Sequence, residues 1–166
     1  MMNIPYTAQR RWASPLGTIW AARTAAGLAG LWFAEGQKDT PDTLDAPLRD
    51  DDPLLRAAEA TLANYWRDGT LAWNLPLDLH GTPFQREVWL ALLKVPRGHT
   101  LSYRGLADRI GRPQAVRAVG AAVGRNPVSI LVPCHRILGS DGSLTGYAGG
   151  LERKVALLRL EGVLAA

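Results

Sequence analysis

The sequence predicts an α/β protein of the α+β kind, with a small sheet-and-helix unit packed on a mainly helical one. Three observations carry that expectation. Residues 14–35, SPLGTIWAARTAAGLAGLWFAE, hold two apolar, partly alternating runs around a turn, the pattern of a β-hairpin or meander. Asp52 and Pro53 open one longer helical segment as N-cap and N1, and Gly69 closes it. From Thr82 onward the chain breaks into successive short helical segments, each with its own cap.

The elements follow in order. Residues 36–53 are rich in Asp, Pro and Thr and poor in large apolar side chains, so an exposed loop is expected. After the helix LLRAAEATLANYWRDG, residues 70–81, TLAWNLPLDLHG, read as a further strand. Thr82, Pro83 and Gln85 compose a capping box with proline at N1, and Phe84, Val88, Trp89, Leu92 and Leu93 fall on one face of the helix it starts. Pro96 and Gly98 stop that helix. Ser102 caps the next, YRGLADRI, which Gly111 closes, and residues 114–126, QAVRAVGAAVGRN, form its partner. Two short helices joined by a tight Gly-containing turn describe a helix-turn-helix. At about 100° per residue, Val119 and Val123 fall opposite Arg117, whereas Gln114, Gly120, Ala121 and Gly124 lie near it. One face is core, and the other is a surface of small side chains around one long cation. Such a surface lets a helix approach a groove closely, although a glycine- and alanine-rich packing helix with Arg117 in solvent has the same pattern.

The 166 residues suffice for one medium domain or two small ones. Charge places the division near HGTPF: residues 1–81 carry 7 Lys and Arg against 10 Asp and Glu, net −3, and residues 82–166 carry 12 against 5, net +7. The basic half is the one expected to meet a polyanion, with nucleic acid the leading candidate. A single cysteine excludes an internal disulfide and suits a reducing compartment, the cytoplasm. No membrane association is expected, because no apolar run approaches the ~18 residues needed to span a bilayer and the N-terminus lacks a signal-peptide core.

That cysteine, Cys134, lies in PVSILVPCHRILG. SILVP reads as a short buried strand ended by its proline, which places the thiol at a strand end. An isolated cysteine there is most often a small hydrophobe. Here His135 and Arg136 follow directly, a titratable base and a fixed cation, and then a glycine-rich loop too polar for a core. Adjacent residues of an extended chain point to opposite sides, so His135 needs a turn or a bridging water to act on the sulfur. His80 and His99 are the distal alternatives expected of a cysteine hydrolase. One Cys and three scattered His have no metal-ligand spacing, so no metal site is expected.

Taken together, TPFQREVWLALLKVPRGHTLSYRGLADRIGRPQAVRAVGAAVGRN and NPVSILVPCHRILGSDGSLTGYAGGLERKVALLRLEG closely resemble the O6-alkylguanine-DNA alkyltransferases, also called methylated-DNA-protein-cysteine methyltransferases. The resemblance runs from about Thr82 to Gly162, and P-C-H-R with N-P eight residues before the cysteine is its most specific part. It implies a DNA-repair protein that moves an alkyl group from O6 of guanine, with O4 of thymine the related position, irreversibly onto Cys134. It also implies an N-terminal ribonuclease H-like domain over 1–81 and a DNA-binding, active-site domain over 82–166.

The resemblance further assigns roles residue by residue. His135 takes the thiol proton through a water, and Glu161 orients and balances the imidazole, which is the logic of base and orienting carboxylate applied to a thiol. Asn126 is the hinge between helix and active-site segment, and Tyr103 acts near the phosphate and the purine N3. Arg117 enters the duplex from the minor groove and fills the space left by an extruded base, with Gln114, Gly120, Ala121 and Arg125 on the same DNA-facing surface. Ile137, Tyr147, Ala148 and Arg136 are expected around the substrate pocket, where Ala148 replaces a serine common in relatives. The expected partner is double-stranded DNA bound by a monomer, with no cofactor. The alternative within the same resemblance is a non-catalytic helix-turn-helix binder of alkylated DNA, which typically carries tryptophan at the cysteine position. A helix-turn-helix regulator with a metal-thiolate domain has no cysteines to build it in residues 1–81.

Overall fold

In the computed structural model, which describes residues 3–165, strands β1 (Ala8–Trp12), β2 (Ile19–Arg23) and β3 (Leu28–Phe33) form an antiparallel meander in that order. The expected hairpin is β2–β3, with Ile19 opposite Phe33 and Ala21 opposite Leu31. β1 carries no apolar alternation. It is an edge strand whose Arg10 pairs with Asp50 and Glu59 and whose Arg11 lies 4.4 Å over the Trp20 ring. Strand alternation sends Ile19, Ala21, Leu31 and Phe33 into the main core, whereas Trp20, Ala22 and Trp32 form a second cluster on the opposite face. Part of loop 36–53 covers that second face: Leu44 packs there, and the Gln9 amide donates to the carbonyls of Leu44 and Ala46.

Helix α1 (Pro53–Asp68) has the expected ends. The Asp52 side chain accepts from the Leu55 amide, and Gly69, at φ 76°, donates its N–H to the Tyr65 carbonyl. Residues 70–81 do not form the expected strand. Leu71, Trp73 and Leu75 alternate onto the core as the pattern requires, yet the only ladder contact is an isolated bridge from Leu77 to Leu28. Pro76 has no N–H to extend that ladder, and its carbonyl is spent on the Leu28 amide.

Helix α2 (Pro83–Leu92) begins with the full Thr82–Gln85 capping box, and the indole of its buried Trp89 donates to the Ala122 carbonyl at 2.8 Å. Then come β4 (Leu101–Ser102), α3 (Tyr103–Arg109) capped by Ser102, α4 (Val116–Gly124), β5 (Ile137–Leu138) parallel to β4, and α5 (Leu151–Leu160). α4 starts at Val116, so Gln114 sits in the link before it. Its faces divide as expected: Val119, Ala122 and Val123 are buried, while Arg117, Ala121 and Gly124 are exposed. One hydrophobic core draws on both halves, from Ile19 and Tyr65 to Trp89 and Leu157, and backbone bonds between Leu31 and both Pro127 and Ser129 cross the division. Residues 1, 2 and 166, the outer ends of the two expected units, lie outside the described residues. Among those described, no helix is long and apolar enough to cross a membrane.

Candidate active site

The segment before Cys134 departs from the sequence expectation. Residues 128–133 are fully or nearly fully buried, and the segment 127–133 is not a strand; the single bridge is Val128 to Leu31. Asn126 is the reason. Its Oδ1 accepts from the Val128 amide at 3.0 Å and its Nδ2 donates to the Val132 carbonyl at 2.8 Å, so one side chain satisfies backbone groups that a neighbouring strand would otherwise pair. The chain reverses between these two points, with Ile130 at φ 72° in the left-handed region that a β-branched residue rarely enters. Cys134 then opens a single turn of 3-10 helix, Cys134–Arg136, rather than ending a strand. Successive side chains of such a turn stand about 120° apart, so His135 is not driven to the face opposite the thiol.

The same Asn126 Nδ2 lies 3.2 Å from Cys134 Sγ. Burial pushes the thiol up, against the pull of that amide, the Lys154 charge and nearby backbone N–H groups. His135 is fully buried, and its Nε2 lies 2.6 Å from Glu161 Oε2. Burial holds the imidazole below its ordinary range even with the carboxylate beside it, so the ring is neutral and donates Nε2–H to Glu161. Nδ1, the remaining ring nitrogen, is buried with no hydrogen-bond partner among the described residues.

Glu161 sits at the end of α5, where burial alone would raise its carboxyl. Bonds from His135, from Arg136 Nε at 2.7 Å and from Tyr65 Oη at 2.6 Å outweigh that and bring it to about 2. Arg136 is therefore not a pocket residue. Its guanidinium faces Glu161 and the Val95 carbonyl, where it neutralises a buried anion. Ile137 likewise lies behind the pocket, fully buried, with its carbonyl accepting from Lys154 Nζ at 2.6 Å.

The cavity beside the thiol, about 220 Å³, is lined by Tyr103, by Gly120, Val123 and Gly124 of α4, by Gly146, Tyr147 and Ala148 of the loop 139–150, by Cys134, and by Lys38 and Asp39. Tyr103 Oη donates to the Thr145 carbonyl at 3.3 Å, and a Cβ on Gly120 would stand 3.7 Å from its ring. The Tyr147 hydroxyl is buried without a partner among the described residues. Gln114, Arg117, Ala121 and Arg125 are exposed along or just beyond α4. His80 pairs with Asp78 and His99 approaches the Arg97 carbonyl, so neither is bonded to Cys134. No cluster of three His, Cys, Asp or Glu able to hold a metal occurs among the described residues.

Two participants escaped the sequence reading. Lys154 is completely buried, and its ammonium donates to the carbonyls of Ile137, Thr145 and Gly146 at 2.6, 3.0 and 3.2 Å; burial lowers it to about 8. Its signal was present: Lys154, Leu157, Leu158 and Glu161 fall at i, i+3, i+4 and i+7, placing a lysine on the buried stripe of α5. Tyr65, on the buried stripe of α1, carries its hydroxyl to Glu161.

Comparison with known proteins identifies the family. The family model described as 6-O-methylguanine DNA methyltransferase, DNA binding domain, matches residues 83–163. The methylated-DNA–protein-cysteine methyltransferase of Methanosarcina barkeri is 43% identical over 148 residues, 89% of this chain and 92% of its own. That of Mycobacterium tuberculosis is 44% identical over 148 residues, 89% of this chain and 88% of its own. Among solved structures, Mycobacterium tuberculosis OGT in complex with DNA aligns with a TM-score of 0.85 at 42% identity, covering 93% of this chain and 92% of that one. The O6-methylguanine methyltransferase structure from the same organism aligns at 0.79 and 40% identity, covering 98% and 94%. With Cys134 buried against Asn126 and the adjacent His135 bonded to Glu161, and with relatives above 40% identity over most of the chain, the protein belongs to the methylated-DNA–protein-cysteine methyltransferase family.

Proposed function

We propose that this protein repairs alkylated DNA by moving the alkyl group from O6 of guanine to Sγ of Cys134. The observation that carries the reading is the neutral, buried His135, held by Glu161 through Nε2 while Nδ1 has no partner among the described residues, directly after a cysteine that lines a cavity. A water between Sγ and Nδ1 relays the thiol proton to the ring as the sulfur attacks the alkyl carbon. The S–C bond forms, the C–O6 bond breaks, and the electron pair leaves on guanine. The imidazolium is stabilised by Glu161, whose charge Arg136 otherwise balances. Tyr103, on the cavity wall, supplies a hydroxyl proton toward N3 of the leaving purine, and the Ala148 backbone N–H supports O6.

A thiol this deep cannot reach a base inside a duplex, so the nucleotide is turned out of the stack. Helices α3 and α4 act as the helix-turn-helix, with α4 in the minor groove. Gly120, Ala121 and Gly124 permit the close approach, Arg117 occupies the space left behind, and Gln114 and Arg125 hold the flanking backbone. Residues 82–166 thus carry the DNA and acceptor functions on a unit supported by residues 1–81, and the protein works as a cytoplasmic monomer without a cofactor. The product is a thioether with no electrophilic carbonyl for water to attack and no second cysteine to exchange with, so each molecule acts once.

The test is intact-mass measurement after incubation with duplex DNA containing O6-methylguanine. One methyl group should appear on the protein, and none on Cys134→Ala. Tight binding without an adduct on the unaltered protein would replace this reading with that of a non-catalytic binder.

A further inference from the structure

The acceptor cavity takes one wall from the half of the chain that carries no reacting group. Among the described residues, Lys38 and Asp39 are its only lining residues from the first 81, and the only charged residues that line it. Their backbone is tied to the site from both sides. The Gln37 side chain accepts from the Phe33 amide at 2.8 Å through Oε1 and donates to Ser129 Oγ at 3.2 Å through Nε2, joining the end of β3 to the segment that leads to Cys134. The next residue, Lys38, donates its N–H to the Ala148 carbonyl at 2.9 Å. Asp39 sits at φ 59°, which turns the chain as it passes the cavity. Arg153 adds a second tie across the halves, bonding the carbonyls of Leu16, Glu35 and Gly149.

We infer that Lys38 and Asp39 are specificity-determining residues that limit which alkyl groups reach Cys134, an inference that rests on Cys134 as the acceptor. During transfer the reacting carbon lies between O6 and Sγ, so the remainder of a larger group must extend sideways toward a wall. The α4 side offers Gly120 and Gly124, which have no side chains but face the incoming DNA. The loop side is occupied by Tyr147 and Ala148. Tyr103 and Val123 fill further parts of the lining, and toward the first half of the chain it consists of Lys38 and Asp39, both exposed, where an apolar ring meets bulk and displaces the water that solvates two charges. A methyl group ends before it reaches them.

The test compares transfer rates, read as adduct mass, from O6-methylguanine and O6-benzylguanine placed in the same duplex. In the Lys38→Ala, Asp39→Gly double variant, which keeps the Lys38 N–H and suits the left-handed φ at 39, the benzyl-to-methyl rate ratio should rise about 10-fold or more, the scale on which pocket walls discriminate hydrocarbon groups. Lys38→Trp should lower the ratio. An unchanged ratio in both variants, or a rise in the second, overturns the inference, and thermal unfolding confirms that both exposed substitutions leave the fold intact. If the unaltered protein forms no adduct on Cys134 with either duplex, the acceptor reading itself has failed, a result separate from adducts that form in an unchanged ratio.

Discussion

Replacing Glu161 with Gln removes one charge from a side chain with 0% exposure while keeping its shape. Two routes to the cost agree. The site lowers the carboxyl from 4.5 to about 2, and at about 1.4 kcal/mol per unit it favours the ionised form by about 3 kcal/mol. Breaking a buried ion pair from one side costs about 3–5 kcal/mol, because the partner stays charged and buried. That partner is Arg136, 5% exposed, left with only neutral acceptors, the new amide oxygen and the Val95 carbonyl. At about 2–4 °C per kcal/mol for a chain of this size, the melting temperature should fall by roughly 6–20 °C. Chemistry should suffer separately. If the new amide nitrogen faces the ring, Nε2 must accept, the proton moves to Nδ1, and the lone pair that receives the thiol proton is gone. Transfer should then slow by ~10²–10⁴, the usual worth of a positioned base. The assay is thermal unfolding by circular dichroism together with adduct formation followed by mass, well below the variant's midpoint. A variant that melts with the wild type, or transfers within about twofold of its rate, refutes the assigned role of the carboxylate. Tyr65→Phe is the control: it removes one neutral donor to the carboxylate and leaves both charges in place, so it should cost about 1.5–3 kcal/mol and leave the tautomer of His135 unchanged.

Other outcomes follow from the same geometry. Arg117→Ala should slow repair in duplex DNA far more than reaction with free O6-benzylguanine; equal loss on both removes Arg117 from base extrusion. Lys154→Met leaves three carbonyls without their donor, and should cost about 2–4 kcal/mol with faster amide exchange across residues 139–150; unchanged exchange there shows that the ammonium does not hold the loop. Acid should unfold the protein in two steps, measured as urea midpoints against pH. The His135 ring titrates lower folded than unfolded, so stability falls as pH drops below 6.5, where only the unfolded ring gains a proton. Glu161 is also depressed, so its contribution is complete above 4.5 and is lost as pH falls toward about 2, a step that Glu161→Gln should lack.

What was legible in the sequence was whatever local chemistry decides. The capping box at Thr82, the Asp52–Pro53 start, the Gly69 stop and the two faces of α4 all follow from spacing, and the structure has each. The adjacency of Cys134 and His135 was visible as chemistry, but its geometry was not. SILVP has the composition of a strand, and its apolar residues are indeed buried, yet Asn126 supplies from one side chain the bonds that a strand draws from neighbours. Propensity cannot register that substitution. Residues 70–81 show the complementary case, in which alternation is real and Pro76 denies it a ladder. Arg136 was misplaced because a cation next to a reactive cysteine looks like a ligand contact until its partner, 25 residues along the chain, is known.

The charge division between the halves suggests a division of labour, a basic unit for DNA and an acidic unit beside it, but the contacts around the proposed acceptor site do not respect it. The carboxylate that orients His135 also takes the Tyr65 hydroxyl from α1, a buried bond spanning 96 residues of sequence. The segment carrying Cys134 is tied to β3 through Gln37 and Ser129, and the loop bearing Ala148 is tied to Lys38 and Arg153. Each tie fixes something the proposed transfer requires: the tautomer of the proposed base, the position of the sulfur, or the distance between the cavity walls. A displacement of about 1 Å in any of them is enough to spoil a near-attack geometry. The acidic half therefore acts on the rate through the site's shape, and its substitutions should register in transfer as well as in stability.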